Sequence, residues 1–297
     1  MPTAYSQQAQ LTVERQVAPD LSISTMYILN RGVKYPALRN VNLPAPIIIN
    51  GRPTYNINAR ASELPDQRIS INNRFEPNGS STYHALAVSA VKRFSRNTQF
   101  NASWTYSHAI DFIPDAIFDN PFTQNQLNMR DDRGNSLQDQ WHRFLFSGVF
   151  VLPKNESLLG KVFGNFSLAP IATLGTGVFY NITTGTDSNG DGQTGTDRPL
   201  GVGRNTFRGD STLNYDLRVS RNIGVGENRK IQVIAEGFNI FNTTNFSNYN
   251  TVWGTGAYPS TPNATFGTPT ASGASLGGGG IIDVPARVIQ FGIRYSF

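Results

Sequence analysis

The sequence predicts an all-β fold, an antiparallel up-and-down meander of about nine strands. Three observations predict it. Apolar and polar residues alternate at period two in nine separate stretches, the pattern of a strand with one apolar and one polar face. The connections between those stretches alternate short, long, short, long without a break. Only 15% of the residues are charged, whereas glycine numbers 28 and aromatics reach 11%, a mixture suited to strands joined by polar loops.

In order along the chain, residues 5–17 set Leu11, Val13 and Val17 against Gln10, Thr12, Glu14 and Gln16. Ala18-Pro19-Asp20 turns the chain, and Leu21, Ile23, Thr25, Tyr27 and Leu29 then alternate with Ser22, Ser24, Met26 and Asn30. Residues 31–80 hold six of the 17 prolines and no sustained period, so they read as a loop longer than ordinary compact domains use. Residues 81–94 and 97–110 form the next hairpin around Ser95-Arg96, with Phe100, Ala102, Trp104 and Tyr106 on one face. Residues 111–138 are irregular. Residues 139–152 place Phe144, Phe146, Phe150 and Leu152 together, and a turn near 153–162 leads into a longer strand at 163–182.

A polar loop at 183–210 precedes the cleanest alternation in the chain. Leu213, Tyr215, Leu217, Val219 and Ile223 face one way; Asn214, Asp216, Arg218, Ser220 and Asn222 face the other. A glycine-rich turn at 224–229 leads to residues 230–241, and a last loop at 242–284 includes Gly277-Gly278-Gly279-Gly280. The closing strand aligns Ile289, Phe291, Ile293, Tyr295 and Phe297 on one face, with Gln290, Arg294 and Ser296 opposite.

Short turns on one side and long loops on the other are the asymmetry of a membrane-spanning barrel. A soluble sheet has no physical reason to sort its loops by length. The nine strands therefore read as part of a larger transmembrane β-barrel, with 31–80, 111–138, 183–210 and 242–284 as extracellular loops. Mean hydropathy is −0.31 and no apolar run approaches the ~20 residues of a spanning helix, which leaves strands as the only spanning elements. Phe291, Ile293, Tyr295 and Phe297 resemble the assembly signal of bacterial outer-membrane barrels, an open strand edge read by main-chain hydrogen bonds. Trp104, Tyr106, Tyr27 and Tyr83 near the long loops, and Tyr295, Phe297 and Phe94 near the short turns, are expected in interfacial girdles.

Several function classes are excluded. There is no cysteine, hence neither a disulfide framework nor a thiolate metal site. The net charge of +5 is spread along the chain, with no patch beyond Lys92-Arg93 and Arg96, so nucleic acid is not an expected partner. No Gly-x-Ser-x-Gly and no phosphate-cradling loop is present, and no enzyme activity is expected. Residues 1–5 lack the basic and apolar regions of an export signal, which for an exported barrel implies a fragment or a missing beginning.

Two constellations carry candidate chemistry. Asp187, Asn189 and Asp191 with Gly192 match the opening of a calcium loop. The twelfth position is Arg198 rather than Glu, with Asp197 the nearest carboxylate, so calcium is a weak candidate and no other cofactor is implied. Arg218 and Glu236 lie on the polar faces of adjacent strands, where one register pairs them across the lumen and a shift by two separates them.

Ser81-Thr82-Tyr83-His84-Ala85-Leu86, Lys92-Arg93-Phe94-Ser95, Trp104-Thr105-Tyr106-Ser107 and Asp139-Gln140-Trp141-His142-Arg143-Phe144 are similar to the late barrel of TonB-dependent outer-membrane receptors. Asp187-Ser188-Asn189-Gly190-Asp191-Gly192 with Asp197-Arg198-Pro199, and Ala235-Glu236-Gly237-Phe238-Asn239-Ile240-Phe241-Asn242, fit the same group. The resemblance is strongest to the branch with an N-terminal carboxypeptidase-regulatory-like domain. It implies a receptor of the Gram-negative outer membrane with about 22 strands around a plug. Its implied partners are membrane lipid, the plug and remaining strands, the TonB complex, and the outer-membrane assembly machinery. This chain has only nine of those strands and no plug, so it is expected to be part of such a receptor. Two competing expectations are a soluble or surface-attached β-domain binding glycans through its loops, and a non-transporting outer-membrane adhesin.

Overall fold

Period-two alternation becomes nine consecutive strands in a computed structural model. It describes residues 2–112, 123–154, 164–226, 229–272, 274–276, 280–282 and 286–297. The strands are β1 Tyr5–Ala18, β2 Leu21–Asn40, β3 Asn73–Ser95, β4 Thr98–Asp111, β5 His142–Val151, β6 Phe166–Gly175, β7 Thr212–Gly224, β8 Lys230–Phe238 and β9 Val288–Ser296. Each is antiparallel to the next in chain order, β1 and β9 form the two edges, and the sheet is not closed. The piece Gly134–Asn135 adds a short tenth strand against β4.

Register aligns the apolar rows across the wall. Val13, Thr25, Val88, Trp104, Phe144, Leu174 and Leu213 are successive partners from β1 to β7. Phe150, Leu168, Val219, Ala235 and Phe291 form a parallel row nearer the short turns. Directly paired residues project from the same face of a sheet, so these rows form one continuous apolar belt. It is not covered: Leu11, Ile293 and Phe291 are 68%, 79% and 82% exposed. The opposite face carries Glu14, Ser24, Ser103, Ser147, Asp216, Arg218 and Glu236, with apolar residues such as Leu145 and Ile171 scattered among them. A sandwich would bury the belt under a second layer; no second layer stands over it among the described residues. That rules against the soluble reading.

The buried apolar side chains lie elsewhere. Among the described residues of the sheet the nearly inaccessible apolar side chains are small: Ala85, Pro170 and Ala172, with Ala37 in the extension of β2 beyond the belt. The larger ones gather in the loops at one end of the wall, with Leu43, Tyr55, Ile57 and Leu64 in one cluster and Ala37, Phe112 and Met129 in another. A one-layer wall thus has its dry core above the sheet rather than beneath it.

Three boundaries differ from the sequence reading. β2 and β3 continue to Asn40 and from Asn73, shortening the loop expected at 31–80 to 41–72. Main-chain pairing needs no apolar alternation once the strands leave hydrocarbon. The register shifts around Tyr35, Lys34 takes φ 60°, and a Cβ at Gly79 would come 2.8 Å from the Tyr35 carbonyl oxygen, the mark of a bulge. The strand expected at 163–182 ends at Gly175, and Phe179–Tyr180 pairs instead with Phe207–Arg208. Tyr83, expected in a girdle, pairs with Asn30 and Ala109 and so shares the polar face. The turn expected near 153–162 and the Gly277–Gly280 run fall largely outside the described residues.

Candidate functional site

The long loops interlock at one end of the wall, and the segment from Asp187 to Asp197 is their hub. Gly190 and Gly192 adopt φ 70° and 87°, conformations that cost glycine little. The backbone therefore curls around its own acidic side chains. The Asp187 carboxylate accepts from the N–H groups of Asp191 and Gly192 at 3.0 and 2.9 Å. Asn189 Oδ1 accepts from Asp191 N–H at 2.9 Å. Asp191 accepts from Gln193 N–H at 2.8 Å and Gln126 Nε2 at 2.7 Å. One Asp197 oxygen accepts from Ser188 and Asn189 N–H, and the other is buried without a partner.

The calcium-candidate residues Asp187, Asn189, Asp191 and Asp197 thus share one loop, but most of their oxygens are turned onto amides. Coordination would require those amides to let go. Among the described residues, no group of three or more His, Cys, Asp or Glu is placed to hold a metal ion.

The hub is stitched to its neighbours by main-chain and side-chain bonds. Tyr55 and Ile57 N–H donate to the carbonyls of Asn189 and Gly190 at 2.6 and 3.0 Å. Asn189 Nδ2 donates to the Gln124 carbonyl at 2.9 Å, and Gln126 Oε1 accepts from Asn40 N–H at 2.7 Å. Two buried ion pairs, Arg198–Asp132 and Arg204–Asp111, complete the joint. Burial pushes the Tyr55 hydroxyl up to about 12 and the Arg204 guanidinium down to about 10, since a low-polarity surrounding disfavours charge. A cavity of about 170 Å³ opens beside this joint, lined by Arg52, Asn125, Asp131, Asp132, Arg198 and Leu200. Arg52 Nη1 is buried there without a partner, so the cavity offers guanidinium donors alongside carboxylates. A second aromatic core joins the third and fourth loops, where Phe207 and Trp253 pack on Phe266 at 5.3 and 4.8 Å between ring centres.

None of the ion-pair partners, nor Gln126 or Tyr55, was legible as a site in the sequence. Their partners are 65 or more residues away, and no local spacing encodes such a pairing.

Burial is the main reason the Asp197 carboxyl rises to about 6, with the Asp191 charge adding to it and N–H bonds opposing it. A raised folded-state value means that the group favours the closed hub below its unfolded value of ~4. That contribution is lost as pH rises through about 6. Hydrogen exchange at Ser188 and Asn189, corrected for intrinsic rates, is expected to show stronger protection at pH 5 than at pH 7.5. Asp197→Asn, which keeps the acceptor, should flatten the difference.

On the wall, Arg218 and Glu236 are direct register partners, with Nη1 and Oε1 3.5 Å apart. Glu236 also accepts from Gln290 Nε2 at 2.6 Å. Arg218 is 45% exposed on its side chain, and water screens such a pair. A double-mutant cycle with Arg218→Ala and Glu236→Ala is expected to give a coupling below about 1 kcal/mol. Phe291, Ile293, Tyr295 and Phe297 lie on the belt side of β9, with Phe297 95% exposed. The far edge of β9 has no partner strand among the described residues.

This geometry agrees with comparisons to known proteins. The ferripyoverdine receptor of the outer membrane of Pseudomonas aeruginosa, solved with ferripyoverdine, superposes with a TM-score of 0.51 at 9% identity. The match covers 99% of this chain and 27% of the receptor. The pyoverdine outer membrane receptor FpvA from Pseudomonas aeruginosa PAO1, bound to pyoverdine, gives a TM-score of 0.50 at 11% identity, over 99% of this chain and 30% of that one. At such identities the likeness concerns the fold, and the chain spans under a third of either receptor. No curated relative matches. The outer membrane beta barrel domain family matches residues 1–203 and 200–290, nearly the whole chain. An open nine-strand wall with an uncovered apolar belt, its loops gathered at one end, has the build of a Gram-negative outer-membrane barrel, and the chain belongs to the outer membrane beta barrel domain family.

Proposed function

We propose that the chain forms part of the wall of a TonB-dependent receptor and that its interlocked loops take part in capturing ligand outside the cell. The uncovered belt on an open sheet carries the reading, because two bare edges beside a polar inner face suit a wall completed by further strands around a plug. The resemblance of the Asp139–Phe144, Asp187–Pro199 and Ala235–Asn242 stretches supports the same assignment, including the branch with a carboxypeptidase-regulatory-like domain. In this reading the plug and remaining strands fill and close the barrel. The TonB complex acts through the plug-bearing part, and the assembly machinery engages the β9 edge with Phe291, Ile293, Tyr295 and Phe297. The cavity beside Arg52 and Arg198 is the part of the loop platform with chemistry for a polar ligand. The test is to read the coding DNA upstream of the first codon. A continuous frame through a plug and a coupling segment is expected. A complete short gene with its own export signal and no plug would instead make the protein a non-transporting adhesin.

A further inference from the structure

The short-turn rim of the wall carries a charge pattern that ligand capture does not use. On the belt side, Arg15 is paired in register with Ile23, Lys92 with Phe100 and Arg221 with Phe166. Arg96 stands at the tip between β3 and β4, whereas Arg93, one residue past Lys92, turns to the inner face beside Glu14, Gln16 and Ser22. Lys92 is neutralised by Asp20 at 2.5 Å. Arg15 and Arg96 are exposed and make no side-chain hydrogen bond or ion pair among the described residues. Arg221 holds its guanidinium 5.0 Å from the centre of the Phe166 ring. Glu14, the other acid at this end, pairs with Ser24 and belongs to the inner face. By sequence alone, residues 155–163 and 227–228 add Lys161, Glu156 and Glu227. Among the described side chains of this rim, every unpaired charge on the belt side is positive.

The position of these cations matters as much as their sign. From Thr212 to Arg221 a strand rises ~30 Å, which a tilt of ~40° projects to ~23 Å, close to the ~25 Å height of an outer-membrane apolar band. Arg221 therefore reaches the lower boundary of hydrocarbon when the start of β7 lies at the upper one. Phe94 and Phe297 are exposed in the same zone, where aromatic rings favour the headgroup level. A water-soluble acidic partner cannot reach side chains on the hydrocarbon side without displacing lipid. The geometry points to a contact between Arg15, Arg96 and Arg221 and the phosphates of anionic phospholipids in the periplasmic leaflet. This rests on reading the sheet as a membrane wall with its short turns toward the periplasm.

The test folds the complete barrel that contains this chain into phosphatidylcholine vesicles with and without phosphatidylglycerol, at low and high salt, and measures the inserted fraction by flotation. Phosphatidylglycerol is expected to raise insertion about tenfold at low salt, as anionic surfaces attract juxtamembrane cations. The combined variant R15Q/R96Q/R221Q should lose that gain and still insert into phosphatidylcholine as the parent does. A control removing equal charge from the loop side, R31Q/R130Q/R133Q, should keep it. No gain with phosphatidylglycerol, or equal loss in both variants, overturns the lipid contact alone. Failure of the complete parent barrel to enter either vesicle overturns the membrane-wall reading and this contact with it.

Discussion

Replacing Leu217 by arginine is expected to cost about 2–4 kcal/mol of folding stability in a bilayer, the penalty for a cation at mid-membrane depth. Leu217 sits in the middle of β7, opposite Pro170 on one side and Gly237 on the other. Its row continues to Ile289, so an arginine there meets only apolar neighbours and lies far from either boundary. Arg15 and Arg221 share its face but lie toward strand ends, where long side chains extend to headgroups. Asn214→Arg falls on the inner face, three residues away, where Asn214 already bonds the Asp216 carboxylate at 3.1 Å. Its cost should be near zero. Urea titration of both variants in lipid vesicles measures the difference, and equal costs at the two positions would contradict the assignment of faces.

Asp132→Ala should be as damaging, but locally. Asp132 is buried, pairs with the equally buried Arg198, and accepts from Gln124 N–H at 2.8 Å. Removing the carboxylate leaves a guanidinium in the loop core with no counter-charge, at a cost of about 3–5 kcal/mol. The loss should appear as faster hydrogen exchange in residues 123–128 and 184–202, while amides of β5 to β7 keep their protection. Those strands hold together by their own ladders, and stability is not uniform across such a structure. Replacing both partners, Asp132→Leu with Arg198→Met, should recover much of it, because no charge is then stranded. Equal damage in the double variant would show that the pair contributes through specific geometry rather than through balance of charge.

The wall was legible because its information is local. Residues 213–223 announce β7 through alternation within the segment itself, and loop lengths distinguish the two ends of the barrel. The strand extensions past Tyr35 were not legible: Lys34, Pro36 and Gly79 break the pattern, yet paired backbones continue outside the membrane. The short strand Phe179–Tyr180 was likewise misread as a continuation of β6, since apolar residues in a loop core keep the same alternation as those on a wall.

The candidate site divides along the same line. The Asp187–Asp191 motif was visible as a tight acidic loop, but a metal loop and a self-bonded loop have one sequence signature. Where the oxygens point is decided by Gln126, Tyr55 and the buried ion pairs, all brought from other loops. What the sequence determined alone was the alternation and the sorting of loop lengths, because every second residue of a strand must face one side; that the apolar face lies uncovered, and so meets membrane rather than a second layer, was decided by the structure. What only the tertiary structure decided was how four loops distant in the chain share one buried polar joint, because a contact between Asp132 and Arg198 exists only once the wall has brought them to the same end.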